Sequence, residues 1–359
     1  MKIGLIGLQN SGKTTIFNAL TGLDADTASY TTQKIEPNLG IVEVADYRID
    51  KLCEIYKPEK EIKAIIEYID FVGLTGDSKN DAPFSSSSLA LIKNTDALGL
   101  VVRNFENEII TQLLEKPNPQ KDIELIDSEL IITDLIIAEN RLEKIELAEK
   151  RGIKDSAMQA EKKTLQKAVE HLNNDAPLRT LALTENEEKS IRGFRFMSQK
   201  PLMIILNSDE NNYGKNENLI FEIEKKNNII EFAGEFEMEL SKLSEEEAKE
   251  FMEDLNIKES ARKRLTRFSY ELMGYISFFT IGKDEVRAWT IRKGRNALFA
   301  AGRIHTDLER GFIRAECFSF DDLISAGSEK AIREKGLFRL EGKNYLVQDG
   351  DIICIRFNV

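Results

Sequence analysis

The stretch Lys2–Leu20, KIGLIGLQNSGKTTIFNAL, decides the fold of this chain. Its apolar beginning, Lys2–Ile6, is typical of a buried strand, and Thr15–Leu20 has the pattern of a helix. Between them, Gly7–Thr14 matches the phosphate-loop pattern GxxxxGK[ST] in its required setting. The glycines let consecutive N–H groups point at phosphate oxygens, and the following helix directs its positive end at the same anion. The sequence therefore predicts a site for a nucleoside triphosphate.

Two further residue types in this region predict a magnesium site. Lys13 would bring a compact positive charge to the outer phosphates, and Thr14 would offer its hydroxyl to Mg²⁺. Asp70–Gly73 ends another buried strand with the pattern DxxG, whose carboxylate can hold Mg²⁺ through water while the Gly73 N–H faces the γ-phosphate. DxxG is also an ordinary turn at a strand end, but its position after a phosphate loop favours the functional interpretation. The predicted nucleotide ligands are Gly7, Asn10, Ser11, Gly12, Lys13, Thr14, Thr15, Gly73, Asn207 and Glu210, and the predicted metal ligands are Thr14 and Asp70.

Position 74 and the segment Asn207–Glu210 bear on hydrolysis and on the choice of base. Leu74 stands where Ras-like enzymes carry the Gln that orients the attacking water, so hydrolysis is expected to be slow or to use another group, and no catalytic residue is assigned. Asn207–Glu210 reads NSDE where guanine-binding proteins carry [NT]KxD. Since Ser208 replaces Lys and Glu210 replaces Asp, strict guanine selection is not expected. The alternative is a polar loop between a strand and a helix.

The composition is that of a globular protein longer than most single domains, with 359 residues and a net charge of −12. This acidity argues against a generally basic nucleic-acid-binding surface but allows a local basic patch. The scattered Cys53, Cys317 and Cys354 form no CxxC pair, which favours a reduced setting, and two histidines exclude a His-rich metal site. No membrane span or signal peptide is apparent, so we expect a cytoplasmic protein without membrane contact.

Hydrophobic periodicity predicts three domains. Residues 1–120 and 198–274 alternate short apolar runs with helical patterns, as in a doubly wound α/β nucleotide-binding domain. The inserted residues 121–197 predict an antiparallel coiled-coil hairpin from 122 to 175. Residues 275–359 contain short β elements and carry 14 Lys/Arg against 12 Asp/Glu. The predicted hairpin seam consists of Ile131, Leu135, Ala138, Leu142 and Ile145 on one helix and Met158, Leu165, Val169 and Leu172 on the other.

Taken together, these residues resemble the YchF family of Obg-related P-loop NTPases, nearly from end to end. The resembling segments are Ile35–Asn38 with Gly40, Arg103–Asn107, Asp122–Leu135 and, most specifically, Glu285–Arg292, Ala300–Asp307, Gly311–Glu316, Glu341–Tyr345, Gln348–Asp351 and Arg356–Val359. The last six resemble a TGS domain, a small β-grasp-like module. The resemblance implies three domains, a preference for ATP over GTP tied to Asn207–Glu210, and association with ribosomes. A hydrophobic residue at the catalytic Gln position, as at Leu74, is also a family trait.

The sequence departs from the family at several positions. Its phosphate loop reads GLQNSGKT instead of GLPNVGKS, which keeps the glycines, the Lys and a hydroxyl. Lys34 stands where the family carries a Thr, for which Thr31 or Thr32 could substitute. The segment 75–88 is shorter and richer in serine than the family's switch, and Gln112 aligns with a family His. These differences indicate a divergent paralogue that binds nucleotide.

Three functional hypotheses follow. In the first, the chain is a slow Mg²⁺-dependent ATPase, with GTP as an alternative substrate, whose cycle gates ribosome binding. Alternatively, it senses ATP or GTP without significant hydrolysis, which Lys34 and Leu74 favour. In the third, it binds ribosome or RNA mainly through the TGS domain and the helical arm. The predicted phosphate-contacting residues, which could also form an ordinary solvated β surface, are Arg287, Arg292, Lys293, Arg295 and Arg303.

Overall fold

The structure is a computed structural model that describes residues 1–25, 37–71, 86–107, 116–153, 155–254 and 259–358. These residues form two compact units. The first contains Met1–Ile41 and Glu67–Arg262, and the second contains Val42–Ile66 and Lys263–Val359.

A six-stranded sheet forms the centre of the first unit. Its strands are β1 (Lys2–Ile6), β2 (Asn38–Glu43), β4 (Ile65–Asp70), β5 (Ala97–Asn104), β6 (Leu202–Ser208) and β7 (Asn228–Phe232). The spatial order is β2-β4-β1-β5-β6-β7, and every neighbouring pair from β4 to β7 is parallel. Buried parallel strands read as continuous apolar runs, as β5 and β6 do. Their carboxyl ends meet at one edge of the sheet, which therefore collects the loops after β1, β4, β5 and β6.

The described helices of the first unit follow the βα rhythm of a doubly wound sheet. They are α1 (Lys13–Thr21), α3 (Ser86–Ile92), α4 (Pro119–Lys150), α5 (Ser156–Leu172), α6 (Glu185–Ile191), α7 (Glu217–Glu224), α8 (Gly234–Leu240) and α9 (Glu245–Asp254). A further helix, α10 (Ala261–Leu272), begins where the first unit ends. Ser244 and Glu247 cap each other's backbone N–H groups at the start of α9.

The inserted hairpin consists of α4 and α5. Its buried cluster includes Ile131, Ala138 and Ile145 from α4 and Leu165 and Leu172 from α5. The other predicted seam residues are partly buried against the same cluster, so the heptad prediction is confirmed. The buried Asp134 carboxylate fixes the return of the chain by accepting hydrogen bonds from the Met197 and Ser198 N–H groups at 2.9 and 2.7 Å.

A second six-stranded sheet organises the other unit, in the order β11-β10-β12-β8-β9-β3. Its strands are β3 (Lys60–Ile62), β8 (Tyr275–Ile281), β9 (Glu285–Arg292), β10 (Phe312–Ser319), β11 (Arg339–Glu341) and β12 (Asp351–Phe357). The remaining helices are α2 (Tyr47–Tyr56), α11 (Ala297–Ile304), α12 (Thr306–Arg310), α13 (Phe320–Ala326) and α14 (Glu329–Glu334). The alanines of α11 pack closely on one face of the sheet together with Ile276 and Phe278.

The segment Val42–Ile66 is held in the second unit by specific contacts. Strand β3 pairs in parallel with β9. The Arg48 guanidinium donates hydrogen bonds to Asp46 and Asp349, both at 2.8 Å, and the Tyr56 hydroxyl donates to Glu329 at 2.9 Å. Sequence periodicity did not indicate this grouping.

The predicted fold class is confirmed: a doubly wound P-loop domain with an inserted helical hairpin, followed by a C-terminal β module. The three-domain boundaries proposed from the sequence stay a prediction. Within the described residues, no helix is both long and apolar enough to cross a membrane.

Candidate nucleotide site

The loop between β1 and α1 has the backbone of an anion-binding turn. Asn10 and Gly12 adopt positive φ angles of 60° and 87°. A Cβ atom at Gly12 would clash with the side-chain amide of Asn207, so glycine is needed for space as well as for conformation. Gly12 is the N-cap of α1, whose first N–H groups therefore remain available to a phosphate.

The Lys13 ammonium is hydrogen-bonded to the phosphate loop. Its Nζ donates hydrogen bonds to the carbonyl oxygens of Gly7 at 3.1 Å and Leu8 at 3.4 Å. Burial lowers the pKa of Lys13, and the Asp70 carboxylate acts in the opposite direction. Phosphate oxygens would place further negative charge beside this partly buried ammonium.

Thr14 and Asp70 meet at the foot of the loop. The Thr14 hydroxyl donates to Asp70 Oδ2 at 2.9 Å, and the Asn38 amide donates to the same oxygen at 3.3 Å. Asp70 Oδ1 is buried without a hydrogen-bond partner in the described structure. A hydroxyl beside a carboxylate with a spare oxygen is a donor set suited to Mg²⁺. The described residues hold no cluster of three His, Cys, Asp or Glu that could bind a metal alone, so the remaining ligands would be phosphate and water.

Asn207 ties the phosphate loop to the start of helix α8. Its Nδ2 donates to the Ser11 carbonyl at 3.0 Å, and its Oδ1 accepts from the Gly234 N–H at 3.1 Å. Both ends of the amide are therefore used by backbone groups, which fixes the loop relative to β6 and α8. This positioning role was not anticipated from the sequence.

Ser208 belongs to a polar network beside Asn207. Its hydroxyl donates to Glu231 at 2.6 Å and accepts from the Asn104 amide at 2.9 Å. The second Glu231 oxygen accepts the Gly214 N–H at 3.0 Å, which anchors the loop after β6. Glu231 was missed in the sequence; its only signal was a charged residue among the apolar residues Ile229, Ile230 and Phe232 of strand β7.

The structure brings most predicted ligands to one edge of the sheet. Gly7, Gly12, Lys13, Thr14, Asp70 and Asn207 are linked by the contacts above, and Thr15 follows in the first turn of α1. Glu210 is exposed in the loop after β6. Gly73 and Leu74 lie outside the described residues, as do Thr31, Thr32, Lys34 and Gln112.

Arginines of the C-terminal unit lie over aromatic rings. The Arg287 guanidinium lies 3.9 Å from the centroid of Trp289, and that of Arg295 lies 5.0 Å from Phe299. The Arg292 guanidinium lies 5.9 Å from the centroid of Tyr275. Lys293 and Arg303, which are close in sequence to these arginines, are exposed. Cations paired with aromatic rings are a common composition of RNA-binding surfaces.

Known proteins resemble the chain over its whole length. Residues 2–141 match a family described as 50S ribosome-binding GTPase, and residues 275–358 match the YchF GTPase C-terminal family, described as a protein of unknown function (DUF933). The "Ribosome-binding ATPase YchF" of Pasteurella multocida is 39% identical over 362 residues, covering 100% of this chain and 99% of that protein. Its Bacillus subtilis counterpart is 38% identical over 363 residues, covering 99% of each. The solved YchF GTPase of Schizosaccharomyces pombe superposes with a TM-score of 0.85 at 32% identity, covering 99% of this chain and 97% of that one.

Proposed function

Because this chain belongs to the YchF family, we propose that it is a Mg²⁺-dependent purine nucleotide-binding protein that hydrolyses ATP slowly and binds ATP at least as well as GTP. The observation that carries the proposal is the hydrogen bond from the Thr14 hydroxyl to Asp70 beside the phosphate loop. The second oxygen of the Asp70 carboxylate has no hydrogen-bond partner in the described structure. When bound there, Mg²⁺ would neutralise phosphate charge. Thr14 and Asp70 would hold the ion, and Lys13 would exchange its carbonyl partners for phosphate oxygens.

The surroundings of Ser208 support weak guanine selection. A Lys at this position would pack its alkyl stem on the base, whereas Ser208 is buried and directed at Glu231. The exposed Glu210, one methylene longer than the Asp of guanine-binding proteins, stands on the loop that Glu231 anchors.

Calorimetry with ATP and GTP in Mg²⁺ tests the base preference. We expect ATP to bind at least as tightly as GTP. We expect Glu210→Asp, a substitution of an exposed side chain, to shift the preference towards GTP. If GTP bound more than about a hundredfold tighter, a difference of about 2.8 kcal/mol, a conventional GTPase would replace this proposal.

Hydrolysis is tested by single-turnover assays with and without ribosomes. We expect slow ATP cleavage, because Leu74 offers no hydrogen bond to the attacking water. A nucleotide sensor without significant hydrolysis is the second candidate, favoured by Leu74 and Lys34. Tight ATP binding with no cleavage above the rate in buffer, in either condition, would decide for the sensor.

We further propose that the chain associates with ribosomes in a nucleotide-dependent way, as a switch, through the basic residues of its TGS domain, with the helical arm as a second contact. The names of its relatives and the exposed cations beside aromatic rings support this. Contacts with RNA phosphates weaken steeply with salt.

Co-sedimentation of the full chain tests the ribosome proposal. We expect pelleting at low salt that falls as salt rises and that differs between ATP and ADP. The triple variant Arg292→Gln, Lys293→Gln, Arg295→Gln should pellet at least tenfold less. The matched control Lys225→Gln, Lys226→Gln, Lys249→Gln removes three exposed lysines elsewhere and should pellet normally. Equal loss in both variants would contradict a specific role of the basic surface.

A further inference from the structure

The long helix α4 carries an exposed stripe that neither the hairpin nor the sheet covers. Positions 125, 129, 132, 136, 140, 143 and 147 follow a 4-3-4-4-3-4 spacing and so lie in one line along the helix. Four of them are large apolar residues with 44 to 53% of their surface exposed: Leu125, Ile132, Ile136 and Leu147. Isolated exposed apolar residues are common, but a line of them along a helix marks a contact surface.

This stripe is distinct from the two buried faces of α4. The hairpin seam, with Ile131 and Ala138, lies roughly 140° around the helix from it, at 100° per residue. Ile126 and Leu130 pack into the core beside the parallel sheet on another side. The helix therefore has three apolar faces, of which the packing of the described residues uses two.

The charged residues of the stripe are acidic, and its remaining polar residue, Asn140, is neutral. Glu129 and Glu143 lie on it, and Glu139 lies at its edge, whereas no Lys or Arg occupies any of the seven positions. The basic Arg141 of the same span is turned towards α5, where it pairs with Glu161 at 2.7 Å. Partial burial raises the pKa of Glu129, so a cationic partner would relieve an existing cost of desolvation.

Charge disfavours the two simplest alternative occupants. RNA is disfavoured because the carboxylates repel phosphates. A second copy of the stripe is disfavoured as well: antiparallel pairing about Ile136 places Glu129 opposite Glu143, and parallel pairing places each Glu opposite itself. Like charges across a helical seam destabilise pairing, whereas opposite charges select a partner.

We propose that the stripe from Leu125 to Leu147 is a docking surface for a basic amphipathic helix of a partner protein. Such a helix would be about 22 residues or 33 Å long, with an apolar seam on Ile132 and Ile136 and Lys or Arg side chains against Glu129 and Glu143. Binding at the stripe would require neither bound nucleotide nor the basic surface of the C-terminal unit.

The test measures binding of two synthetic 22-residue helical peptides to the full chain by fluorescence anisotropy. Both carry the same leucine seam, one flanked by lysines and the other by glutamates. We expect the basic peptide to bind at least tenfold tighter. Ile132→Gln with Ile136→Gln should weaken it at least tenfold, and Glu129→Lys with Glu143→Lys should reverse the charge preference. Ile153→Gln with Phe221→Gln, which changes two equally exposed apolar residues elsewhere, should bind like the unmodified chain.

Several results would overturn the proposal. They are equal binding of the two peptides, undiminished binding by the Ile132/Ile136 variant, displacement of the peptide by a 22-nucleotide RNA, and self-association that the same variant abolishes. The last two would assign the stripe to RNA or to a second copy. Because all substituted side chains are exposed or partly exposed, unchanged thermal unfolding should accompany each variant.

Discussion

Asp70→Asn should have opposite effects on stability and on nucleotide binding. Asparagine keeps the shape of the side chain and an oxygen that can accept from Thr14 and Asn38, whose donors lie 2.9 and 3.3 Å from Asp70 Oδ2. It removes a buried negative charge, one of whose oxygens has no hydrogen-bond partner in the described structure. Without nucleotide, the variant should therefore be as stable as the unmodified chain or more stable, because relief of this desolvation outweighs the lost attraction to the Lys13 ammonium.

The loss of magnesium-dependent binding can be estimated from this geometry. A divalent cation one water away, at roughly 4.5 Å, interacts with a carboxylate by about 2 to 4 kcal/mol for effective dielectric constants between about 40 and 80. The lower value already corresponds to about a 30-fold change in affinity. Asp70→Asn should therefore reduce the gain in ATP affinity on adding Mg²⁺ by at least about 30-fold, with little change in EDTA.

Calorimetry with ATP in Mg²⁺ and in EDTA measures the magnesium dependence of binding. Urea unfolding of the protein without nucleotide measures the change in stability. Glu67→Gln is the matched control, because it removes a carboxylate from the same strand, where Glu67 pairs with Lys2 near the surface. If Asp70→Asn keeps the full magnesium dependence, Asp70 does not hold the ion. If the variant is destabilised by more than about 2 kcal/mol, Asp70 is a structural residue.

Three further predictions concern Lys13, Leu74 and the thiols of Cys53 and Cys317. Lys13→Ala should weaken ATP binding at least tenfold, about 1.4 kcal/mol, because the outer phosphates lose their main side-chain countercharge; calorimetry with unchanged affinity would remove the phosphate-loop interpretation. Leu74→Ala should change the single-turnover rate little, and a loss above about a hundredfold with binding intact, about 2.7 kcal/mol of barrier, would mean that this side chain holds the site in place. Burial raises the pKa of Cys53 to about 11 and that of Cys317 to about 12. Iodoacetamide at pH 8 should therefore label Cys53 roughly a hundredfold more slowly than a free thiol, and Cys317 more slowly still, as mass spectrometry can measure. Since the unfolded thiols ionise first, stability from these two groups should be full below about pH 8.5 and should fall as the pH rises towards 11 and 12.

The sequence predicts what local patterns determine. The phosphate loop requires glycine and Lys at fixed spacing beside a strand and a helix, so Gly7–Thr14 could be identified without knowing the fold. The apolar runs of β5 and β6 and the heptad seam of the hairpin are also local, because each residue's burial follows from its own periodicity.

Contacts between distant segments could not be predicted in the same way. Strand β3 has only three residues, Lys-Glu-Ile, and forms because β9 offers an edge far along the chain. Asn38, Asn207 and Glu231 are polar residues whose partners come from distant segments of the chain, so their roles depend on which segments the sheet order brings together. Periodicity carries no information about such pairs.

The placement of Val42–Ile66 in the second unit has a consequence for synthesis. Arg48 and Asp349 are 301 residues apart, and both are needed to complete the same unit. At roughly 5 to 20 residues per second, Arg48 of helix α2 leaves the ribosome about 15 to 60 s before Asp349 does, and strand β3 leaves about 11 to 45 s before its partner β9. During that interval an unpaired strand and a half-covered helix are exposed to aggregation or to chaperones. The segment Val42–Ile66 therefore needs the C-terminal residues, which are made last, to complete its fold. A chain truncated before β8 would lose the structure of Val42–Ile66 as well as that of the deleted residues.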